Sequence, residues 1–451
     1  MNLFPYQVEG ADWLAEKRFG LLADEMGLGK SAQAIRAADD ILAERILVIC
    51  PAVARVNWLR EFQKFAKYPR KFVIGLEGSH VPRPGEGYIC SYELAIKTNL
   101  LQKWQGHFDL LILDEAHYLK SPDAQRTIQI LAGAGKIKMV DGRSIGGVIR
   151  NSFRTWALTG TPMPNHPGEL WVWATTFGVC KLDYASFCRR FCEFIPGFRH
   201  HLQITGLRKD RREELRALLA PVILRRTVKQ VGLQLPELFF GDVVVEPGNV
   251  RLSAEQLDKA TQEELWLRER LRGVEELDPK AMGLLEALAR SVSTLRLYNG
   301  LQKIEPVAEL LEVELSANHY PKIVVFAIHT EVIRSLAVAL QEFGTAVIHG
   351  GVSPGARQAA IDAFQTNPKL RVMICNIHAA GTAITLTAAD QVLFVESAWS
   401  PGDNQQAAKR CHRIGQTHTV RARFVAIADS IDEKVQRINR RKAQDIRAVL
   451  D

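Results

Sequence analysis

Eleven residues near the N-terminus limit what this chain can fold into: Leu21-Leu22-Ala23-Asp24-Glu25-Met26-Gly27-Leu28-Gly29-Lys30-Ser31. The stretch ends in Gly-Lys-Ser, the end of a P-loop. Glycines let the backbone turn tightly and aim N–H groups at an anion. A lysine ammonium in that place reaches the outer phosphates, and the following hydroxyl binds Mg²⁺. Gly27, Gly29, Lys30 and Ser31 are therefore candidate nucleotide-binding residues, with Ser31 also on the metal. The apolar run Phe19 to Ala23 predicts a strand, and the spacing of Ala32, Ile35, Ala38, Ile41 and Leu42 predicts a helix over Ser31 to Ala43. Asp24 stands where the general pattern has its first glycine. A bare Gly-Lys-Ser also arises by chance, so the loop needs support from elsewhere.

That support comes some eighty residues later. Phe108-Asp109-Leu110-Leu111-Ile112-Leu113 is long and apolar enough for a strand buried on both faces. It delivers Asp114-Glu115-Ala116-His117 to the carboxyl end of that strand, where open parallel sheets place their ligands. Asp114 can hold Mg²⁺, and Glu115 can orient or deprotonate a water aimed at the terminal phosphate. The competing reading is a pair of surface carboxylates behind a core strand.

The length of 451 residues suggests about three domains. No apolar run reaches the roughly 18 residues a membrane helix needs, and the N-terminus has no basic region followed by an apolar stretch. A cytoplasmic, nucleoid-associated monomer with no membrane partner is expected. The seven cysteines show no repeated spacing and fit reduced thiols. Cys188, Cys192 and His200-His201 can suggest zinc, but Cys188 and Cys192 one turn apart on a helix is the plainer reading. The net charge of +8 is compatible with nucleic acid, and basic residues cluster at Arg189-Arg190, Arg208 to Arg212, Arg225-Arg226 and Lys434 to Lys442.

In chain order, Gln7 precedes the first helix, where its amide can read an adenine edge. Ile46 to Cys50 is a strand stopped by Pro51, and Val56 to Phe65 reads as a helix. Asn57 and Trp58 lie near its start, where backbone N–H groups can meet a phosphate; Trp58 as core is the alternative. Phe72 to Gly75 and Gly87 to Cys90 are further strands, and Ser91-Tyr92 can touch a nucleic-acid backbone. A helix is expected near Ala124 to Ala132, and Gly133 to Ser152 reads as a loop or hairpin, either a basic DNA contact or a tolerated insertion. Arg154 to Leu158 is a strand running into Thr159-Gly160-Thr161-Pro162, whose hydroxyls can relay phosphate occupancy.

Helical periods dominate from residue 163 to about 300: Glu169 to Phe177, Tyr184 to Phe194, Asp210 to Leu219, Ser253 to Leu271 and Lys280 to Gly300. Strand signals are scarce there apart from Phe239 to Val245. Strand and helix alternate again from Pro321, giving strands at Ile323 to Ala327, Ala346 to Ile348, Val372 to Cys375 and Gln391 to Val395. This second lobe has no P-loop. The run Gln405 to Gln416 puts Gln406, Arg410 and Arg413 at helical spacing, so two guanidiniums on one face can act as arginine fingers; a basic surface helix is the alternative.

With these motifs in order, the chain resembles helicase superfamily two, and within it the Swi/Snf-type DNA-dependent ATPases. The strings that carry the resemblance are Leu22-Ala23-Asp24-Glu25-Met26-Gly27-Leu28-Gly29-Lys30, Asp114-Glu115-Ala116-His117, Leu158-Thr159-Gly160-Thr161-Pro162 and His412-Arg413-Ile414-Gly415-Gln416. Asp24 is itself usual in that family. The resemblance implies an α/β fold of two RecA-like, doubly wound parallel-sheet lobes, with an inserted helical region and a C-terminal helical brace. The expected bounds are 1–165 for lobe 1, 166–303 for protrusions and linker (Leu224-Arg225-Arg226 and Leu235-Pro236), 304–430 for lobe 2 and 431–451 for the brace.

It also implies ATP and Mg²⁺ as cofactors. Gln7 would read adenine, His117 would join the nucleotide-binding set, and Lys30, Asp114, Glu115, Gln406, Arg410 and Arg413 would carry catalysis. Duplex or branched DNA would lie near Pro51, Asn57, Ser91, Gly350, Gly381, Thr382 and Trp399. Ala380 and Ala383 stand where that family often has glycine, and the surrounding string is similar to the annealing-helicase, fork-remodelling branch. The expected function is an ATP-dependent double-stranded DNA translocase, a bare motor open to protein partners. The alternatives are an ATP-switched DNA-binding subunit of a defence or modification complex and a strand-separating helicase.

Overall fold

The computed structural model describes residues 3–75, 86–97, 108–132, 139–140, 143–144, 147–163, 166–196, 202–250, 252–271, 291–380, 384–399 and 401–436. The chain divides into two compact units, Met1–Leu233 and Gln234–Asp451.

The first unit contains β1 (Phe19–Leu22), β2 (Ile46–Cys50), β3 (Phe72–Ile74), β4 (Gly87–Ser91), β5 (Phe108–Asp114), β6 (Met139–Val140), β7 (Arg143–Ser144), β8 (Ser152–Leu158), β9 (Cys192–Pro196), β10 (Leu202–Leu207) and β11 (Ile223–Leu224). Its main sheet has the order β11-β1-β8-β5-β2-β4-β3, and every pairing in it is parallel. Helices α1 (Pro5–Glu16), α2 (Lys30–Asp40), α3 (Arg55–Phe65) and α4 (Tyr92–Lys97) belong to the same unit. All five residues of β2 are buried, as its unbroken apolar sequence requires when both faces are covered. One core gathers around Tyr88, Leu111 and Trp173, and a smaller one around Phe187, Phe191 and Leu215.

The second unit contains β12 (Leu238–Val245), β13 (Ile323–Ala327), β14 (Thr345–Ile348), β15 (Val372–Asn376), β16 (Gln391–Phe394) and β17 (Val420–Ile427). These form one parallel sheet in the order β12-β17-β16-β13-β15-β14. Each unit thus has the sheet of a RecA-like, doubly wound lobe, and both RecA-like folds are present as expected.

Several local expectations are corrected. The helix read over Tyr184 to Phe194 ends at Phe191, and Cys192 opens β9, which pairs antiparallel with β10. Pro196 cannot continue a helix, and Glu193 is exposed between buried Cys192 and half-buried Phe194. Cys188 and Cys192 therefore lie on different elements. Phe239 to Val245 is no stray strand in a helical insertion, since β12 pairs along its whole length with β17. As a sheet-edge strand it exposes Phe239 and Val244. Likewise β11 lies outside 1–165 yet is hydrogen-bonded to β1. The helix expected near Ala124 to Ala132 is a single α-turn, Gln125–Thr127, followed by a π-turn, Ile128–Ala132.

Within Gly133 to Ser152, β6 and β7 pair antiparallel; 133–138, 141–142 and 145–146 lie outside the described residues, as does the helix expected from Lys280 up to residue 290. Leu267, Leu271, Val292 and Leu295 pack with Trp399, Ile431 and Val435 in the second unit. The expected brace is helical over 431–436, and 437–451 lie outside the described residues. Among the described residues, no helix is long and apolar enough to cross a membrane.

Candidate active site

Three neighbouring strands bring the motifs of the first unit together at their carboxyl ends. β8 lies between β1, which leads into the P-loop, and β5, which ends in Asp114. Leu158, at the end of β8, pairs with Leu22 on one side and with Asp114 on the other.

Past Leu22 the chain turns through Gly27, φ 92°, and Gly29, φ 74°, both in the left-handed region that glycine enters without a Cβ penalty. Gly29 caps α2, which starts at Lys30. A Cβ on Gly29 would sit 2.4 Å from the Gln7 amide nitrogen, so the loop is pressed against Gln7. Gln7 is buried; its Nε2 donates to the Leu28 carbonyl at 3.1 Å and its Oε1 accepts from the Phe4 N–H at 3.0 Å. The expected adenine reader thus also supports the P-loop. The Lys30 ammonium donates to the carbonyls of Asp24, at 2.7 Å, and Glu25, at 3.3 Å.

Asp24 is fully buried, and its carboxylate is paired, as a buried charge must be. Arg226 donates from Nε to Oδ1 at 3.1 Å and from Nη2 to Oδ2 at 2.6 Å. The Arg226 backbone N–H and Gln33 Nε2 add two more bonds to the same carboxylate, each 3.1 Å. Arg225 donates to the Ala23 carbonyl at 3.0 Å, and the Val228 N–H donates to Glu25 Oε2 at 2.8 Å. Tyr6, beneath the Arg226 guanidinium, has its phenol pushed up to about 12 by burial first and by the Asp24 charge second. Leu224-Arg225-Arg226, expected as linker, is a strap tied to β1 and to Asp24 of the first unit. Its signal was the apolar Val222-Ile223-Leu224 ahead of two arginines.

At the end of β5, Asp114 Oδ2 accepts from the Trp58 indole N–H at 2.8 Å, and Oδ1 accepts from the Glu115 N–H at 2.9 Å. Burial and then the neighbouring Glu115 charge push its carboxyl up to about 6, while Trp58, the Glu115 N–H and the Lys30 charge pull the other way. Glu115 holds φ 50°, a left-handed conformation that costs a non-glycine residue of order 1–3 kcal/mol and collects at functional sites. His117 Nδ1 lies 3.1 Å from Thr159 Oγ1, 3.4 Å from Thr161 Oγ1 and 3.3 Å from Glu115 Oε2. The end of β8 therefore touches the Asp114–His117 turn through hydroxyls.

The other expected residues fall as follows. Pro51 and Ser91 are buried, Asn57 is half-buried, and the Ser91 hydroxyl accepts from the Leu94 N–H at 3.1 Å, at the start of α4. In the second unit, Gly350 is exposed with open space around its Cα, while Gly381, Thr382 and Ala383 lie outside the described residues. Trp399 is buried in an apolar cluster, with the Arg296 guanidinium 5.1 Å from its ring centre. Gln406 lies on the helix Pro401–Ala408, but Arg410 and Arg413 do not. That helix ends at Ala408, and three-residue turn bonds, Arg410 N–H to Ala407 and Cys411 N–H to Ala408, replace the helical ones. Arg410 is buried; Arg413 is half-buried and donates to Lys409 O and Thr385 Oγ1.

Two family models match this chain: the SNF2-related domain over residues 6–258, more than half of its length, and the helicase conserved C-terminal domain over 302–415. The chain belongs to the SNF2-related family. Its second match is to a helicase domain, and one relative is named an ATP-dependent helicase. This SNF2-related chain is 30% identical to the SWI/SNF-related matrix-associated actin-dependent regulator of chromatin subfamily A-like protein 1 homolog of Caenorhabditis elegans, over 96% of this chain and 59% of that protein. It is 28% identical to the human DNA annealing helicase and endonuclease ZRANB3, over 98% of this chain and 40% of that protein. It is also 28% identical to an uncharacterized ATP-dependent helicase of Mycoplasma pneumoniae, over 98% and 42%. The chain spans 40% to 59% of the length of these relatives. Among solved structures, the Sulfolobus solfataricus SWI2/SNF2 ATPase core in complex with dsDNA aligns at 24% identity and TM-score 0.44, over 97% of this chain and 90% of that one.

Proposed function

We propose that this chain is an ATP-driven translocase on double-stranded DNA, and that it moves along the duplex without conventional strand separation. The observation that carries the reading is the meeting of P-loop and acidic turn. Lys30 and Ser31 follow β1, Asp114 and Glu115 follow β5, and Leu158 of β8 is in register with both strands. Lys30 and the N–H groups at the start of α2 would hold the phosphates. Glu115 would orient the attacking water, and Gln7 would face the adenine. Ser31 and Asp114 would hold magnesium, which when bound neutralises charge on the transferring phosphoryl group.

In this reading Gln406, Arg410 and Arg413 complete the site from the second unit, so hydrolysis depends on the two units closing. The expected lobes, protrusions and brace supply that architecture. Duplex DNA would lie near Pro51, Asn57, Ser91, Gly350, Gly381, Thr382 and Trp399, held by its phosphates. Such a grip is weakly sequence-specific and strongly salt-dependent. Relatives named for DNA annealing and chromatin regulation make fork remodelling or strand annealing the reading for its biological use. The chain would act as a cytoplasmic, nucleoid-associated monomer.

The test is displacement of a third strand from a triplex. A motor strips it when ATP is added and leaves it bound with a non-hydrolysable analogue. Release with ATP and analogue alike would instead favour an ATP-switched binding subunit.

A further inference from the structure

Three adjacent strands of the first unit, β5, β2 and β4, end at one level. Ile49 of β2 pairs with Leu113 of β5, and Cys50 of β2 pairs with Ser91 of β4. From these ends come Asp114, the entry to α3 and the entry to α4. The two helix entries hold Asn57 and Ser91, residues placed against the duplex backbone in the proposed function.

The residue after each of them turns inward onto Asp114. Trp58 is 1% exposed, and its indole N–H donates to Asp114 Oδ2 at 2.8 Å. Tyr92 is fully buried, and its hydroxyl donates to the Asp114 backbone carbonyl at 2.7 Å. The Tyr92 ring also stacks on Tyr118, just past Glu115, with centroids 5.4 Å apart and planes 9° from parallel. Side chain and main chain of Asp114 are thus each tied to a different helix entry. A shift of α3 bears on the Asp114 carboxylate through Trp58, and a shift of α4 bears on its main chain through Tyr92, each through one rigid aromatic side chain. Contiguous packed groups of this kind are what carry coupling between two sites.

We propose that Trp58 and Tyr92 are positioning residues that transmit duplex engagement to Asp114, setting the carboxylate for metal binding only when α3 and α4 are seated on DNA. This rests on the translocase reading above. Trp58→Phe keeps a buried ring and removes the N–H donor; Tyr92→Phe removes one hydroxyl.

The experiment measures ATP turnover with and without duplex, the Mg²⁺ concentration for half-maximal turnover, duplex affinity and thermal unfolding, on the full chain. A lost hydrogen bond to a carboxylate predicts that Trp58→Phe lowers duplex stimulation about tenfold. Its half-saturating Mg²⁺ should rise, and its duplex affinity should stay that of the wild type. Tyr92→Phe should show a smaller loss of stimulation in the same direction, and it decides the matter if Trp58→Phe does not fold. Wild-type stimulation and Mg²⁺ response in the variants would overturn the relay. So would a loss of stimulation fully matched by lost duplex affinity, which would assign these rings to the grip. A wild-type enzyme that duplex does not stimulate at all would fail the translocase reading itself, and the relay with it.

Discussion

Arg226 lays its guanidinium across both carboxylate oxygens of Asp24, a partner 202 positions earlier in the chain. Asp24 occupies the place where a general P-loop starts with glycine, and the carboxylate serves as an anchor there. It ties the nucleotide loop to the strap that forms the last stretch of the first unit before Leu233. Breaking a buried pair leaves an uncompensated charge and costs about 3–5 kcal/mol. Arg226→Met should therefore lower stability by that order in chemical denaturation and weaken ATP binding. Pairing it with Asp24→Leu should recover part of the loss, because replacing both charges leaves none buried. Strict additivity of the two variants would show that the pair is not the anchor.

Gly29 offers a second handle on the same loop. Alanine there must hold φ 74° and put its Cβ 2.4 Å from the Gln7 amide, which is itself tied to Leu28. The conformation alone costs about 1–2 kcal/mol. Gly29→Ala should weaken nucleotide binding by about tenfold or more, read by fluorescent nucleotide titration. Adding Gln7→Ala should relieve the clash but not the backbone strain, recovering part of the lost thermal stability while nucleotide binding stays weak.

Much of this was legible before any coordinates. Phe108 to Leu113 reads as a two-sided buried strand, and it is one. The P-loop and its flanks follow from local glycine and apolar patterns. Partners far apart in sequence were not legible: nothing near Asp24 points to Arg226. β17 was missed because Arg421 and Arg423 interrupt its apolar run. Arg423 is tolerated there because Glu314 receives it at both oxygens, at 2.5 and 2.7 Å. Arg410 and Arg413 were read on a helix because their spacing fits one; the chain turns away first, and Gly415, at φ 102°, follows in the same stretch. Spacing reports which residues can share a face, not where the helix ends.

The Glu314–Arg423 pair also sets a pH dependence. Burial raises the Glu314 carboxyl, but the Arg423 fork and the Tyr320 hydroxyl outweigh it and hold the group below its ordinary 4.5. A carboxyl depressed by folding adds stability above its unfolded value, and that contribution fades as pH falls through the folded value. Stability of the second unit should therefore decline on acidification below about 4.5. Glu314→Gln should lower stability at neutral pH and flatten that decline. Unfolding midpoints across an acid series check both; an unchanged acid slope would dismiss the pair as the source.

The account stands on Lys30 and Glu115 acting together on one nucleotide. The most direct measurement is steady-state ATP turnover in saturating duplex DNA for Lys30→Ala and Glu115→Gln, beside duplex binding by anisotropy. Loss of the water-orienting carboxylate should reduce turnover by about 10²–10⁴-fold, and loss of the lysine should be as severe, with duplex binding preserved in both. DNA-stimulated turnover that survives in both variants would contradict the account.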